Sequence, residues 1–249
     1  MMNEIYKRPI LKTVIFQITF PNLFFMESKI PDIQLELINE YPESSLIINQ
    51  PVVFANLNQN NKEKEEQPMT QKIWQFKSSN GYTLNISSNS LSLTSDVHKT
   101  YNNPEGGVIF RDVIDQCLNV FGKHIRLPLV NRIGLRYIDE YQLEDRTTIN
   151  YEEAFNTALS ITKFPIDFVQ ELNVRVVKKV DDCYLIYQEI FNFNNSRNIT
   201  LDFDGFKTSI KFDNCLNVTD TLHELISNEF MNTVKQPIID YMRGISHEK

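Results

Sequence analysis

Glycine is scarce in this chain, seven of 249 residues, and no GxxxxGKS/T phosphate loop can be built from them. HExxH and GxSxG are missing as well, so neither a metal-binding helix of the zincin kind nor a nucleophile elbow is encoded. Cysteine is rarer still: Cys117, Cys183 and Cys215 are odd in number and far apart, which excludes a disulfide framework and a CxxC metal site and leaves small buried hydrophobes or free thiols. Positive charge is in deficit, with 25 Lys and Arg against 32 Asp and Glu, a formal charge of -7 and a pI near 5.2. A broad electrostatic footprint on nucleic acid is therefore disfavoured, although a local basic groove stays open. No apolar run reaches the roughly 18 residues of a membrane span. The opening stretch MMNEIYKRPILKTVIFQITF is interrupted by Lys12, Thr13, Gln17 and Thr19 and is followed by no small-residue cleavage site, so it reads as a strand rather than a signal peptide, and a cytoplasmic location is expected.

What is present belongs to a folded chain: 41% hydrophobic and 11% aromatic residues, enough for a sizeable core in one large domain or two small ones. Residues 10–20 place Val14, Phe16, Ile18 and Phe20 on one parity, which predicts a strand with one face on a core, ended by Pro21. Residues 24–41 are helix-compatible, with Pro31 setting a new helical start, and residues 45–56 give a second strand. The polar run NQNNKEKEEQP at 58–68 predicts an exposed loop. Residues 72–77, 81–87 and 90–95 have the spacing of a meander. Ile109, Val113, Cys117, Val120 and Phe121 trace a helical stripe that Gly122 would cap.

A second cycle starts with a helix capped by Asn150 and left at Pro165. Strands follow at 169–180, 184–193 and 199–212, with turns at Asp181-Asp182, Asn194-Asn195 and Asp204-Gly205. Thr219 would cap a last helix with Asp220 near its positive end, and Pro237 would kink or divide it. The fold class is α+β, predominantly antiparallel sheet with covering helices, in two pseudo-repeated halves, 1–147 and 148–249, that can form one continuous domain.

The most informative stretch is LVNRIGLRYIDEY, residues 129–141. Arg132, Gly134 and Arg136 share one strand parity; Ile133, Leu135 and Tyr137 share the other. Two guanidiniums in line over a glycine make a shelf for phosphate or a partner carboxylate. The competing assignment is structural pairing with Asp139, Glu140, Asp202 or Asp204, and for Tyr137 a core position with its hydroxyl satisfied at the edge. Asp202 and Asp204 alternate on LDFD and could face a hard cation, but no third oxygen ligand lies nearby, so no metal is expected. His223 could act as an acid or base if oriented by a carboxylate such as Asp202 or Asp204; no serine or cysteine nucleophile accompanies it in a known motif. His98, His124 and His247 lie in unrelated contexts. No catalytic residue and no cofactor is assigned.

Tyr6, Arg8-Pro9-Ile10, the Asn131 to Ile138 segment NRIGLRYI, Leu201-Asp202-Phe203-Asp204, and Leu222-His223 leading to Phe230 occur together and in order. In these elements the chain resembles a sporadically distributed family of uncharacterised bacterial proteins, with Arg8 departing from the small residue the family prefers before its proline. The resemblance implies a bacterial intracellular protein carried in accessory, including defence-type, gene clusters, and implies no reaction. The sequence thus favours a protein-binding or adaptor component, or a homo-oligomer, over a stand-alone enzyme. The tentative binding residues are Arg132, Arg136, Tyr137, Asp202 and His223. The alternative is a nucleic-acid or nucleotide-binding protein, even an RNA-processing one, on duplicated ferredoxin-like units; it requires Lys72, Lys77, Lys123 and Arg126 to converge with the two arginines.

Overall fold

The computed structural model describes residues 4–49, 71–98, 100–142, 151–158, 170–192 and 198–245. The loop expected at 58–68, the helix start at Asn150 and exit at Pro165, the turn at Asn194-Asn195, the 147/148 boundary and His247 lie outside them.

Alternating apolar residues do form strands. β1 (Leu11–Thr19), β2 (Glu43–Asn49), β3 (Gln71–Lys77), β4 (Tyr82–Ser87), β5 (Ser90–Ser95), β6 (Leu129–Gln142), β7 (Glu171–Val180), β8 (Cys183–Asn192) and β9 (Asn198–Lys211) join in one antiparallel sheet, ordered β2-β3-β4-β5-β1-β6-β9-β8-β7. The two long meanders lie on either side of the central pair β1 and β6, which run together from Leu11 opposite Asp139 to Thr19 opposite Arg132. The sheet is therefore continuous through the middle of the molecule.

Four helices cover one face: α1 (Met26–Leu37), α2 (Phe110–His124), α3 (Cys215–Thr233) and α4 (Gln236–Arg243), with a short helical turn at Tyr151–Ala154. Val14, Phe16 and Ile18 of β1, Leu91 and Leu93 of β5, Ile133 and Leu135 of β6 and Phe203 of β9 are fully buried beneath them. The other parity of β1, Ile15, Gln17 and Thr19, stays partly exposed. An antiparallel sheet with one solvated face alternates in this way.

Several local expectations change, each for a packing reason. Gly122 does not cap α2 but lies inside it: a Cβ there would stand 2.7 Å from Cε1 of Phe212, so the missing side chain admits that ring, and the helix ends at Ile125. Thr219 lies within α3, fully buried, and its hydroxyl donates to the Cys215 carbonyl one turn back, which keeps a buried polar group satisfied without capping anything. Asp204-Gly205 is no turn either; both residues are interior to β9, where bare Gly205 lets Ile226 and Leu222 of α3 come close. Pro31 is accommodated inside α1 at the cost of a backbone donor. Pro237 divides rather than kinks, sitting in the first turn of α4, where its missing N–H would be unpaired anyway. All three cysteines are buried and free. Among the described residues no helix is long and apolar enough to cross a membrane.

Candidate functional site

The five residues singled out in the sequence do not meet. The sheet separates them into two groups, because successive residues of β6 point to opposite faces.

Arg132, Arg136 and Asp202 lie on the open face, with Asp204. Arg132 donates from Nη2 to both carboxylate oxygens of Asp204, at 2.7 and 2.8 Å, and its guanidinium stacks over Phe206. Arg136 donates through Nε and Nη2 to the two oxygens of Asp202, at 2.8 and 2.5 Å. Gly134 makes room for this: a Cβ there would lie 2.5 Å from Nη1 of Arg132. The arginines thus carry their own anions, the pairing alternative weighed above. Among the described residues no group of three or more potential metal ligands forms.

This face yields a stability prediction. Arg136→Ala leaves Asp202, 6% exposed, without its guanidinium. Because the Arg136 side chain is 44% exposed, the expected loss is about 1–3 kcal/mol rather than that of a fully buried pair. Urea unfolding should show Arg136→Ala plus Asp202→Ala losing less than the sum of the single substitutions.

Tyr137 and His223 face the other way, under the helices, and share a hydrogen bond of 2.7 Å between the phenol oxygen and Nδ1. His223 sits two turns into α3 rather than at its start. A hydrolytic His223 oriented by Asp202 or Asp204 is therefore not formed; those carboxylates are engaged on the opposite side of the sheet. Tyr101 stacks on the imidazole, with ring centroids 4.0 Å apart and 15° between planes. Its hydroxyl donates to Asp220 at 2.7 Å, and Arg111 from α2 donates twice to the same carboxylate, so Asp220 ties the 100–102 segment and α2 to α3.

Tyr101, Tyr137 and His223 line a cavity of about 290 Å³ bounded by β6, α3, α4 and residues 4–11. One side of α3 supplies His223, Ser227, Phe230 and Met231, the spacing of a single helical face. Ile10, Leu11 and Met242 add apolar wall. An extra residue at Lys12 shifts the β1 register between Leu11 and Thr13, which turns Leu11 to the cavity side opposite Asp139. At the mouth, Arg243 makes a two-point ion pair with Glu4, and Arg8 N–H donates to the Met242 carbonyl.

The decisive side chain is Asp139. It shares the inward parity of Ile133, Leu135 and Tyr137, is only 4% exposed, lines the cavity, and has no side-chain hydrogen bond among the described residues. The chain matches no family model and no curated protein.

Burial pushes the Asp139 carboxyl up to about 8, with Asp202 behind it adding to the rise. Burial also pulls His223 down to about 4, against the opposing charge of Asp220, and His98 down to about 4, with His223 contributing. Burial drives the Tyr137 phenol well above its ordinary range. At neutral pH the two imidazoles and the phenol are uncharged, and the cavity wall carries a protonated carboxyl. In the sequence alone Asp139 stands only as a counter-charge for arginine, and His98 has no related context. The available signal was an aspartate on the apolar parity of β6, where alternation predicts another hydrophobe.

Proposed function

We propose that the protein is a non-catalytic binding component whose ligand is a small molecule held in the cavity beside Asp139. The observation that carries this reading is the Asp139 carboxyl, which has no hydrogen-bond partner among the described residues, at the wall of a cavity it shares with His98, whose buried Nδ1 has none either. Buried polar groups are normally hydrogen-bonded, and one left open in a pocket of this size marks a place for a ligand group. Ser227 Oγ lies 3.5 Å from His223 Nε2, but the other ring nitrogen meets the Tyr137 hydroxyl and not a carboxylate, so among the described residues the acid that orients a hydrolytic histidine is missing, which favours binding over turnover. Extraction of the purified protein under denaturing conditions, followed by mass spectrometry, tests it. Wild type is expected to release a small molecule that Ser227→Leu, which fills the cavity from α3, does not carry. A wild-type extract without such a molecule, together with no thermal shift across a fragment library, would remove the reading.

A second reading keeps the protein-binding or adaptor role, in a bacterial accessory or defence-type system, and with it the family resemblance. It is favoured by the edges of the sheet: Leu46, Ile47 and Ile48 on β2 and Val176, Val177 and Val180 on β7 are exposed apolar residues on outermost strands, the kind of edge that pairs with another chain or another copy. The nucleic-acid alternative has less support, since Lys72 is paired with Glu27, Lys123 with Glu36, and both arginines with aspartates. The pseudo-repeat belongs here too. β1 pairs with β5, the last strand of the meander that follows it, and β6 pairs with β9, the last strand of the next, an order compatible with duplication if β6 is counted with the second unit rather than with residues 1–147.

A further inference from the structure

We propose that the cavity selects a small organic cation, an amine or amidine with an apolar body, whose charged nitrogen pairs with Asp139 while the body lies against Phe230, Met231 and Met242. This rests on the cavity being a ligand site and adds the sign and shape of the ligand.

The argument follows from which groups inside can carry charge. Among the described residues an anion entering the cavity meets no buried cation, because His98 and His223 are held neutral by burial. Arg243, at the mouth, is already matched by both oxygens of Glu4. A neutral molecule can hydrogen-bond to the protonated Asp139 but gains no ion pair. A cation supplies the opposite charge that a buried carboxyl lacks, so on binding the carboxyl gives up its proton and the pair forms in a place of low polarity, where attraction is stronger than in water. The faces of aromatic rings are negative, and Tyr6, Tyr101, Tyr137 and Phe230 in the lining favour positive charge for the same reason. The proton balance is simple: the ligand enters protonated, Asp139 releases one proton to solvent, and no bond within the ligand changes.

The test uses three probes of one shape: benzamidinium, benzamide and benzoate, titrated into the whole protein by isothermal calorimetry and by methionine-methyl NMR. The expected result is benzamidinium at least about tenfold tighter than either analogue. Methyl shifts at Met231 and Met242 and release of about one proton, seen as a buffer-dependent heat at neutral pH, should accompany it. Asp139→Asn should lose the preference while Arg136→Ala, on the other face, keeps it. Asn is the same size as Asp, and its folding is checked by circular dichroism. If benzamide or benzoate binds as well as benzamidinium and shifts the same methyls, or if Asp139→Asn keeps the preference, cation selection is overturned and the cavity remains a ligand site. If none of the three perturbs those methyls, this inference falls; the reading it rests on falls with it only if the denaturing extract and the fragment library are negative as well.

Discussion

Asp139→Asn is expected to make the protein more stable, and increasingly so as the pH rises from about 4 toward 8. In wild type the folded-state pKa of this carboxyl is raised to about 8, far above its value in the unfolded chain. Below the unfolded value both states hold the proton and the group has no effect. Between the two values the unfolded chain ionises while the folded one does not, so wild type loses up to about 1.4 kcal/mol per pH unit, until the folded carboxyl ionises as well. Asn does not titrate, so the difference between variant and wild type isolates this group from Glu189 and Asp204, whose carboxyls burial also raises. From pH 5 to 7 the gap should widen by about 2–3 kcal/mol, or about 4–12 °C in Tm for a chain of this size. The two histidines act in the opposite sense. Their folded values are depressed, so the stability they contribute is present above about 6.5 and lost as pH falls toward about 4. Thermal melts at half-unit pH steps measure both slopes. A flat difference curve for Asp139→Asn would mean that the carboxyl is solvated or paired in the folded protein.

Phe203→Ala should cause the largest loss of stability among single substitutions. Phe203 is fully buried on the helix-covered face of β9, directly opposite Tyr137 in the β6 register, with its ring 5.1 Å from Tyr187 and edge-on to Phe230 at 6.1 Å. Removing it opens a hole under α3 that the sheet cannot close, for about 3–5 kcal/mol. Phe206, three residues along, is the control. It lies on the open face, stacked on Tyr184 at 5.1 Å and under Arg132, and Phe206→Ala should cost only about 1 kcal/mol, because part of the ring is already in water. Urea titrations of the pair report which face each side chain occupies. Equal losses would contradict the assignment of faces that separates the arginines from the cavity.

That separation marks the limit of what the sequence discloses. Strand parity in LVNRIGLRYIDEY was legible, and the arginines and the Ile133, Leu135 and Tyr137 series do lie on opposite faces. The antiparallel class, the covering helices, the meander at β3 to β5 and the break at Pro237 were legible for the same reason: they follow from local periodicity and backbone chemistry. The partners of the arginines could be narrowed to nearby acids, because carboxylates on a neighbouring strand are the natural match. The cavity was not legible. Its walls come from residues between 4 and 11, from His98 and residues 100–102, from Tyr137 and Asp139, from residues between 223 and 231, and from Met242 and Arg243, and no local pattern says that these segments converge. Gly122, Thr219 and Asp204-Gly205 were misread for a related reason. Their local preferences are those of caps and turns, and tertiary contacts with Phe212, with the Cys215 carbonyl and with Ile226 outweigh them.

β1 is an early strand in the chain and a central one in the sheet, and this governs the order in which the molecule can be assembled. As the polypeptide is synthesised, β1 can pair with β5 as soon as residues 90–95 emerge, but its other edge waits for β6, and residues 4–9 meet α4 only when positions 242 and 243 have been made. Contacts across such sequence separations form late and slowly. The cavity is thus closed by contacts of long sequence separation, and a chain stopped before α4 would carry much of the sheet but not the closed cavity.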